Sequence, residues 1–467
     1  MTLATLIHGS AHDLSAISPG SVHACMTSPP YWGLRSYAGD QDVEWPAVTY
    51  APMAGLPEVT VPGCDPGCVH EWTDGPVVAT GRNDGDRRGI DGFAGSTHYG
   101  EAGGRKSTQG AHCIHCGGWR GPLGLEPDPL AYVGHLVLVF REVWRVLRDD
   151  GCIFVNLGDS YNGSGGAGGD YNPGGSKAGQ PKFPGRNLSA LKPKDLCMIP
   201  ARVALALQAD GWTLRSDIIW AKGLSFLPHY AGSVMPESVR DRPTKGHEYV
   251  WLLSKGPRYY WDAEAVKEES SDDEYRTVGK VRQFLDAHCV VDPEKGRTKM
   301  GLSNQPGGRG TRNLRTVWAI NPRPYAGAHF AVWPPDLVRP MVLASTSARG
   351  VCPACGSPWR RVVERTAENH MARVDRQVAT GGAMSGGVGK VLPDTTVATL
   401  GWQPTCACDA GDPIPATILD PFSGSGTTGQ VALALGRRYI GVDIAGDVYH
   451  DTLAAERLGN LQMEMSL

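Results

Sequence analysis

Three features predict an α/β chain with a doubly wound, mostly parallel sheet and loop-rich, cysteine-bearing insertions. Short apolar runs alternate with segments of helical periodicity. A Gly-rich turn separates a strand-like from a helix-like segment near the C-terminus. Two cysteine-containing stretches show neither period. Strands separated by helices line up in parallel, with the helices covering both faces. At 467 residues the chain can bury a large core and hold more than one structural unit.

Val22 to Thr27 reads as a short buried strand, broken by Pro29 and Pro30. Residues 44–124 are rich in Gly, Pro, Asp and His and read as a loop-rich insertion. Val133, Leu136, Val137, Phe140, Val143, Trp144 and Leu147 recur at helical spacing, and Asp149-Asp150-Gly151 is expected to end that helix. Cys152 to Leu157 is the next strand. Residues 162–194 are dominated by Gly, Ser, Pro and Lys and predict a loop over which no core forms. Pro200 to Ala209 fits a helix with proline in its first turn. Thr213 to Trp220 and Glu248 to Leu253 are strands. The chain closes with strand Thr417 to Leu419, helix Thr428 to Leu435, strand Tyr439 to Val442 and a helix from about Asp447.

The net charge of -3 gives no global nucleic-acid signal, although a contact surface can be locally basic. No apolar run is long enough to span a bilayer. Met1 to Ser10 lacks the basic start and apolar stretch of a signal peptide, so a cytoplasmic location is expected. The 12 cysteines then argue for metal knuckles rather than disulfides, and their close pairing agrees. Cys352-x-x-Cys355 and Cys406-x-Cys408 supply four thiolates for a structural zinc ion. Cys68, Cys113 and Cys116 supply three more, with His70 or Cys64 as the fourth ligand. Neither set leaves an open position for catalysis.

Gly424-Ser425-Gly426-Thr427-Thr428-Gly429 matches G-x-G-x-x-G between strand and helix, a turn that brings backbone close to a ligand. The preceding Asp420-Pro421-Phe422 selects among ligands. An acid there repels a dinucleotide pyrophosphate but suits the ammonium and sulfonium of S-adenosylmethionine, while Phe422 can pack on it. Asp443 ends the next strand, where a carboxylate can take ribose hydroxyls.

Ser28-Pro29-Pro30-Tyr31 suits an aromatic amine. Such a nitrogen is sluggish because its lone pair is delocalised into the ring. Acceptors on its hydrogens, such as the Ser28 hydroxyl and the Pro29 carbonyl, free that pair, and the prolines stiffen the loop. Tyr31 offers a face to an extruded base, with Trp32 beside it. Methylation at cytosine carbon 5 requires a cysteine nucleophile in a Pro-Cys dipeptide, which the chain lacks.

In this order the motifs resemble the beta-arrangement amino-methylating DNA methyltransferases. Thr27 to Gly33 is similar to the catalytic motif, and Asp420 to Gly426 with Gly441-Val442-Asp443 to the cofactor motif. Asp150 to Asp159, Gly211 to Lys222 and Lys245 to Val250 resemble the strands between, and His329-Phe330 resembles the segment packing on the methionine part of the cofactor. The family's Cys-x-His then Cys-x-x-Cys-Gly pattern favours His70 over Cys64.

The resemblance implies a methyltransferase sheet with one antiparallel strand. It divides the chain into a catalytic start (1–40), a zinc-knuckle insertion (41–128), core (129–257), a target-recognition region (258–321), a cofactor-site helix segment (325–347), a zinc-ribbon insertion (348–411) and a cofactor-binding half (412–467). It also implies duplex DNA as partner and leaves open whether a cognate restriction endonuclease accompanies the protein or it works alone as a phage enzyme; the cysteine pairs are expected to hold two structural zinc ions. Ser at position 28 favours cytosine N4 over adenine N6. Lys295, Arg297, Lys299, Arg309, Arg312 and Arg315 lie in the target-recognition region and are expected to track phosphates or read guanine edges. Two competing classes are an idle zinc-bearing DNA-binding protein and a dinucleotide-dependent oxidoreductase.

Overall fold

The computed structural model describes residues 3–33, 40–73, 77–79, 106–108, 110–162, 191–226, 232–234, 237, 239–269, 311–323, 332–368 and 394–464. Its core strands are β1 (Ala4–His8), β2 (Val22–Thr27), β3 (Leu147–Leu157), β4 (Thr213–Ala221), β5 (His247–Ser254), β6 (Val317–Ala319), β7 (Thr417–Asp420) and β8 (Arg438–Asp443). They form one eight-stranded sheet in the order β1-β8-β7-β2-β3-β5-β4-β6. Every neighbouring pair is parallel except the two that involve β5. The doubly wound, mostly parallel sheet is therefore present, with β5 as its antiparallel strand.

Helices cover both faces. They are α1 (Pro129–Val146), α2 (Ile199–Ala209), α3 (Pro335–Ser345), α4 (Thr427–Ala434), α5 (Gly446–Tyr449) and α6 (Ala455–Glu464). The strands are apolar on both sides and feed two cores by alternation. On β3, Ile153, Val155 and Leu157 pack with α1 and α2 residues such as Val137, Phe140 and Leu207. Cys152 and Phe154 point the other way, toward Val338, Met341 and Val431 of α3 and α4.

Helix α1 begins where Asp128 accepts from the amides of Leu130 and Ala131, with Pro129 in the first turn. It ends earlier than its apolar spacing predicts. Leu147 is already extended and opposite Val22, and the ladder then breaks until Cys152 pairs with Ala24. Asp149-Asp150-Gly151 thus lies in an irregular stretch of strand rather than at the helix end.

Strand β3 starts at Leu147, earlier than the expected Cys152, and the remaining expected strands and helices agree with their expected bounds to about one residue. Strand β1 and the antiparallel pair Trp359–Glu368 with Asp394–Pro404 were not expected. The 41–128 segment holds short strand pairs, and its Trp45, Val48, Tyr50 and Trp119 join the core under α1. Among the described residues, no helix is long and apolar enough to cross a membrane.

Candidate active site

Strands β1, β8, β7, β2 and β3 point their C-terminal ends to one edge of the sheet, where α/β proteins bind ligands. The two motifs, separated by almost four hundred residues, meet there because β7 pairs directly with β2. One cavity is lined by Ser28, Pro29, Pro30 and Tyr31 on one side. Asp420, Pro421, Phe422, Gly424, Thr427 and Asp443 line the other. Val332 and Trp333 also border it. His329 and Phe330, just before them, lie outside the described residues.

The Gly-rich turn has the geometry its glycines permit. Gly424 and Gly426 have φ of 48° and 77°, and Gly426 precedes α4 directly. Gly429 allows helix and strand to touch, since a Cβ there would lie 2.6 Å from the Tyr439 ring. Gly426 contributes to the turn and is not among the cavity's lining residues.

Asp420 is 2% exposed and accepts from three donors. These are Thr27 Oγ1 at 2.8 Å, Thr428 Oγ1 at 2.6 Å and the Phe422 amide at 3.1 Å. Burial pushes its carboxyl up to about 6, with those hydrogen bonds opposing the rise. Asp443 accepts from the amides of Gly424 at 2.8 Å and Ala445 at 3.0 Å, and burial raises its carboxyl as well. Both acids thus shape the turn that they border. A cationic ligand fits beside them, because it would return the favourable interaction that burial removes.

The catalytic loop is clamped. Tyr132 Oη donates to the Pro30 carbonyl at 2.8 Å, and the Gly33 amide to the Gly124 carbonyl at 2.8 Å. Trp32 is 3% exposed and its indole N–H donates to the Glu126 carbonyl, which places it in the core rather than against a base. The Tyr31 ring packs on Gly158, where a Cβ would come within 2.6 Å of it. Tyr31 Oη reaches Asn156 Oδ1 and Glu248 Oε2, each at 2.8 Å, and Ser28 Oγ lies 3.3 Å from Asn156 Oδ1. Lys222 pairs with Glu248. The roles of Asn156, Glu248 and Lys222 were not anticipated. For Asn156 and Glu248 the signal available was polarity inside otherwise apolar strand segments; Lys222 follows the end of β4.

Cys68, His70, Cys113 and Cys116 bring one ligand atom each to within 4.8 Å of the others, as do Cys352, Cys355, Cys406 and Cys408. Three thiols with an imidazole, and four thiols, are donor sets that suit zinc. Cys64 stands outside the first set, with its thiol directed at the Trp119 carbonyl at 3.5 Å. Of the expected DNA-contacting residues, Arg312 and Arg315 both bind Glu268, at 2.8 and 2.9 Å. Glu268 lies outside the basic run, so its neutralising contact could not be read from that run. Lys295, Arg297, Lys299 and Arg309 lie outside the described residues.

A DNA methylase family model matches residues 22–352 and 414–454. The chain belongs to this family. The type II methyltransferase M.Cfr9I of Citrobacter freundii is 33% identical over 348 residues, 73% of each chain. M.SmaI of Serratia marcescens is 33% identical over 341 residues, covering 72% of this chain and 77% of that one. Among solved structures, the cytosine-N4-specific PvuII DNA methyltransferase aligns with a TM-score of 0.41 and 11% identity, covering 99% of this chain and 92% of that chain. The protein is a DNA methyltransferase of the N4/N6 amino-methylating type that uses S-adenosylmethionine.

Proposed function

We propose that this protein methylates the N4 amine of cytosine in duplex DNA. The observation that carries the reading is the common cavity of Ser28 and Asp420. S-adenosylmethionine supplies an electrophilic methyl group on a cationic sulfur. Asp420, Phe422 and the turn from Gly424 to Thr427 would hold it, with Asp443 toward its ribose. Ser28 Oγ and the Pro29 carbonyl would accept the hydrogens of the amine and free its lone pair. The clamped Pro30 keeps both acceptors in place without reorganisation. The base must leave the duplex to reach them.

Serine at position 28 supports cytosine as the target. The two cysteine clusters would each hold a structural zinc ion. A companion restriction endonuclease fits the type II relatives. Mass spectrometry of nucleosides from DNA treated with the protein and S-adenosylmethionine tests the target. N4-methylcytosine is expected; N6-methyladenine without it would overturn the assignment.

A further inference from the structure

We propose that Glu248 is the terminal proton acceptor of the reaction, reached from the substrate amine through the hydroxyls of Ser28 and Tyr31. The inference rests on the amino-methyltransferase reading and deepens it. When the amine attacks, its nitrogen lone pair forms the bond to the methyl carbon. The carbon–sulfur bond breaks and its electrons stay on sulfur. The nitrogen is then cationic and must lose one N–H proton. Ser28 is the hydroxyl nearest in the motif, yet a serine cannot keep an added proton at neutral pH. It can accept one only while passing its own onward.

The side chains behind Ser28 provide that route. Ser28 Oγ lies 3.4 Å from Tyr31 Oη, the loosest link, and Tyr31 Oη lies 2.8 Å from Glu248 Oε2. The amine proton moves to Ser28 Oγ, the Ser28 proton to Tyr31 Oη, and the Tyr31 proton to Glu248. The carboxylate ends neutral, both hydroxyls are restored, and Glu248 later releases the proton to water. Asn156 cannot be the terminus. Its Nδ2 donates to the Tyr249 carbonyl at 3.0 Å, which leaves its amide oxygen facing the two hydroxyls as a fixed acceptor. It orients the relay. Lys222, just past the end of β4, pairs with the other oxygen of Glu248 and holds that carboxylate in place at the end of the relay. Lys245 and His247, on the approach to and at the start of β5, are the other titratable groups facing Glu248.

The test is single-turnover methyl transfer to cognate DNA at saturating donor, from pH 5 to 9, for wild type, Glu248→Gln and Tyr31→Phe. S-adenosylhomocysteine affinity serves as the folding control. The wild-type rate is expected to fall on the acid side, as a reaction that ends on a carboxylate acceptor requires. Each variant should lower the plateau at least about tenfold, lose that acid limb and keep homocysteine-cofactor affinity. The double variant should be no slower than the slower single one. If Glu248→Gln fails to bind S-adenosylhomocysteine, Tyr31→Phe decides, because it removes the relay hydroxyl and leaves the Glu248–Lys222 pair. Variants within twofold of an active wild type, with the acid limb unchanged, overturn the relay and leave the methyltransferase reading standing. A wild type that methylates no DNA amine overturns that reading itself.

Discussion

Replacing Asp420 with Asn should stabilise the unliganded protein while weakening its hold on the cofactor. Burial raises this carboxyl from 3.8 to about 6 in the folded chain. A raised carboxyl favours the native state when protonated. That contribution is fully present below pH 3.8, declines between there and about 6, and is lost above. The difference of roughly two units corresponds to about 3 kcal/mol that the ionised group costs the native state at pH 8. Asparagine keeps the shape and can still accept from Thr27 and the Phe422 amide, while the Thr428 hydroxyl can rotate to accept from its amide. Urea denaturation at pH 8 should show a gain approaching 3 kcal/mol, and at pH 4 little difference. S-adenosylhomocysteine binding should move oppositely. If Asp420 meets the ligand ammonium as proposed, wild-type affinity should fall below about pH 6, where its carboxylate is lost. The variant should bind weakly with no such pH dependence. A variant that is less stable than wild type at pH 8, or that keeps the wild-type affinity profile, would refute the reasoning.

Two further outcomes follow from the site. Gly158→Ala drives a methyl into the Tyr31 ring, so methyl transfer should slow strongly while S-adenosylhomocysteine affinity, measured calorimetrically, stays unchanged. Metal analysis of purified protein should find two zinc ions per chain, with one lost in Cys113→Ser and the other in Cys355→Ser.

Much of the sheet was legible because its strands are short, continuous apolar runs bounded by Gly, Pro or Asp. Val22 to Thr27 and Thr417 to Asp420 carry that pattern, and the motif residues follow directly at their ends. Strand β1 was not legible. Its five residues include Thr5 and His8, and it forms because Leu6 and Ile7 gain an edge position beside β8, a long-range pairing that no local spacing encodes. The end of α1 was misplaced for a similar reason. Leu147 continues the helical apolar spacing, but its pairing with Val22 draws it into the sheet. Within the site, the residue types of the two motifs pointed to their chemistry. The supporting shell did not declare itself, because Asn156 and Glu248 acquire meaning only when β3 and β5 pair beside the end of β2.

The second cysteine cluster is also tied to the site, through His23 on β2. Burial and the neighbouring Arg148 hold His23 down at about 4, so it is neutral near pH 7. Its partners fix the tautomer. Nδ1 accepts from the Thr417 amide at 3.0 Å, and Nε2 donates to the Gly356 carbonyl at 3.1 Å. Arg148 on β3 donates to the Cys355 carbonyl at 2.7 Å. The Cys352–Gly356 turn therefore holds the starts of β2, β3 and β7 together, and the far ends of β2 and β7 carry Ser28 and Asp420. Loosening this turn should cost stability and blur the spacing of the cavity's two walls. Cys355→Ser should lose about 2 kcal/mol through those two hydrogen bonds and bind S-adenosylhomocysteine more weakly, although residue 355 lies outside the cavity. Denaturation with zinc content and calorimetry measured on the same preparation checks this. Loss of one zinc with stability and affinity both unchanged would show that the turn closes on its own and braces nothing.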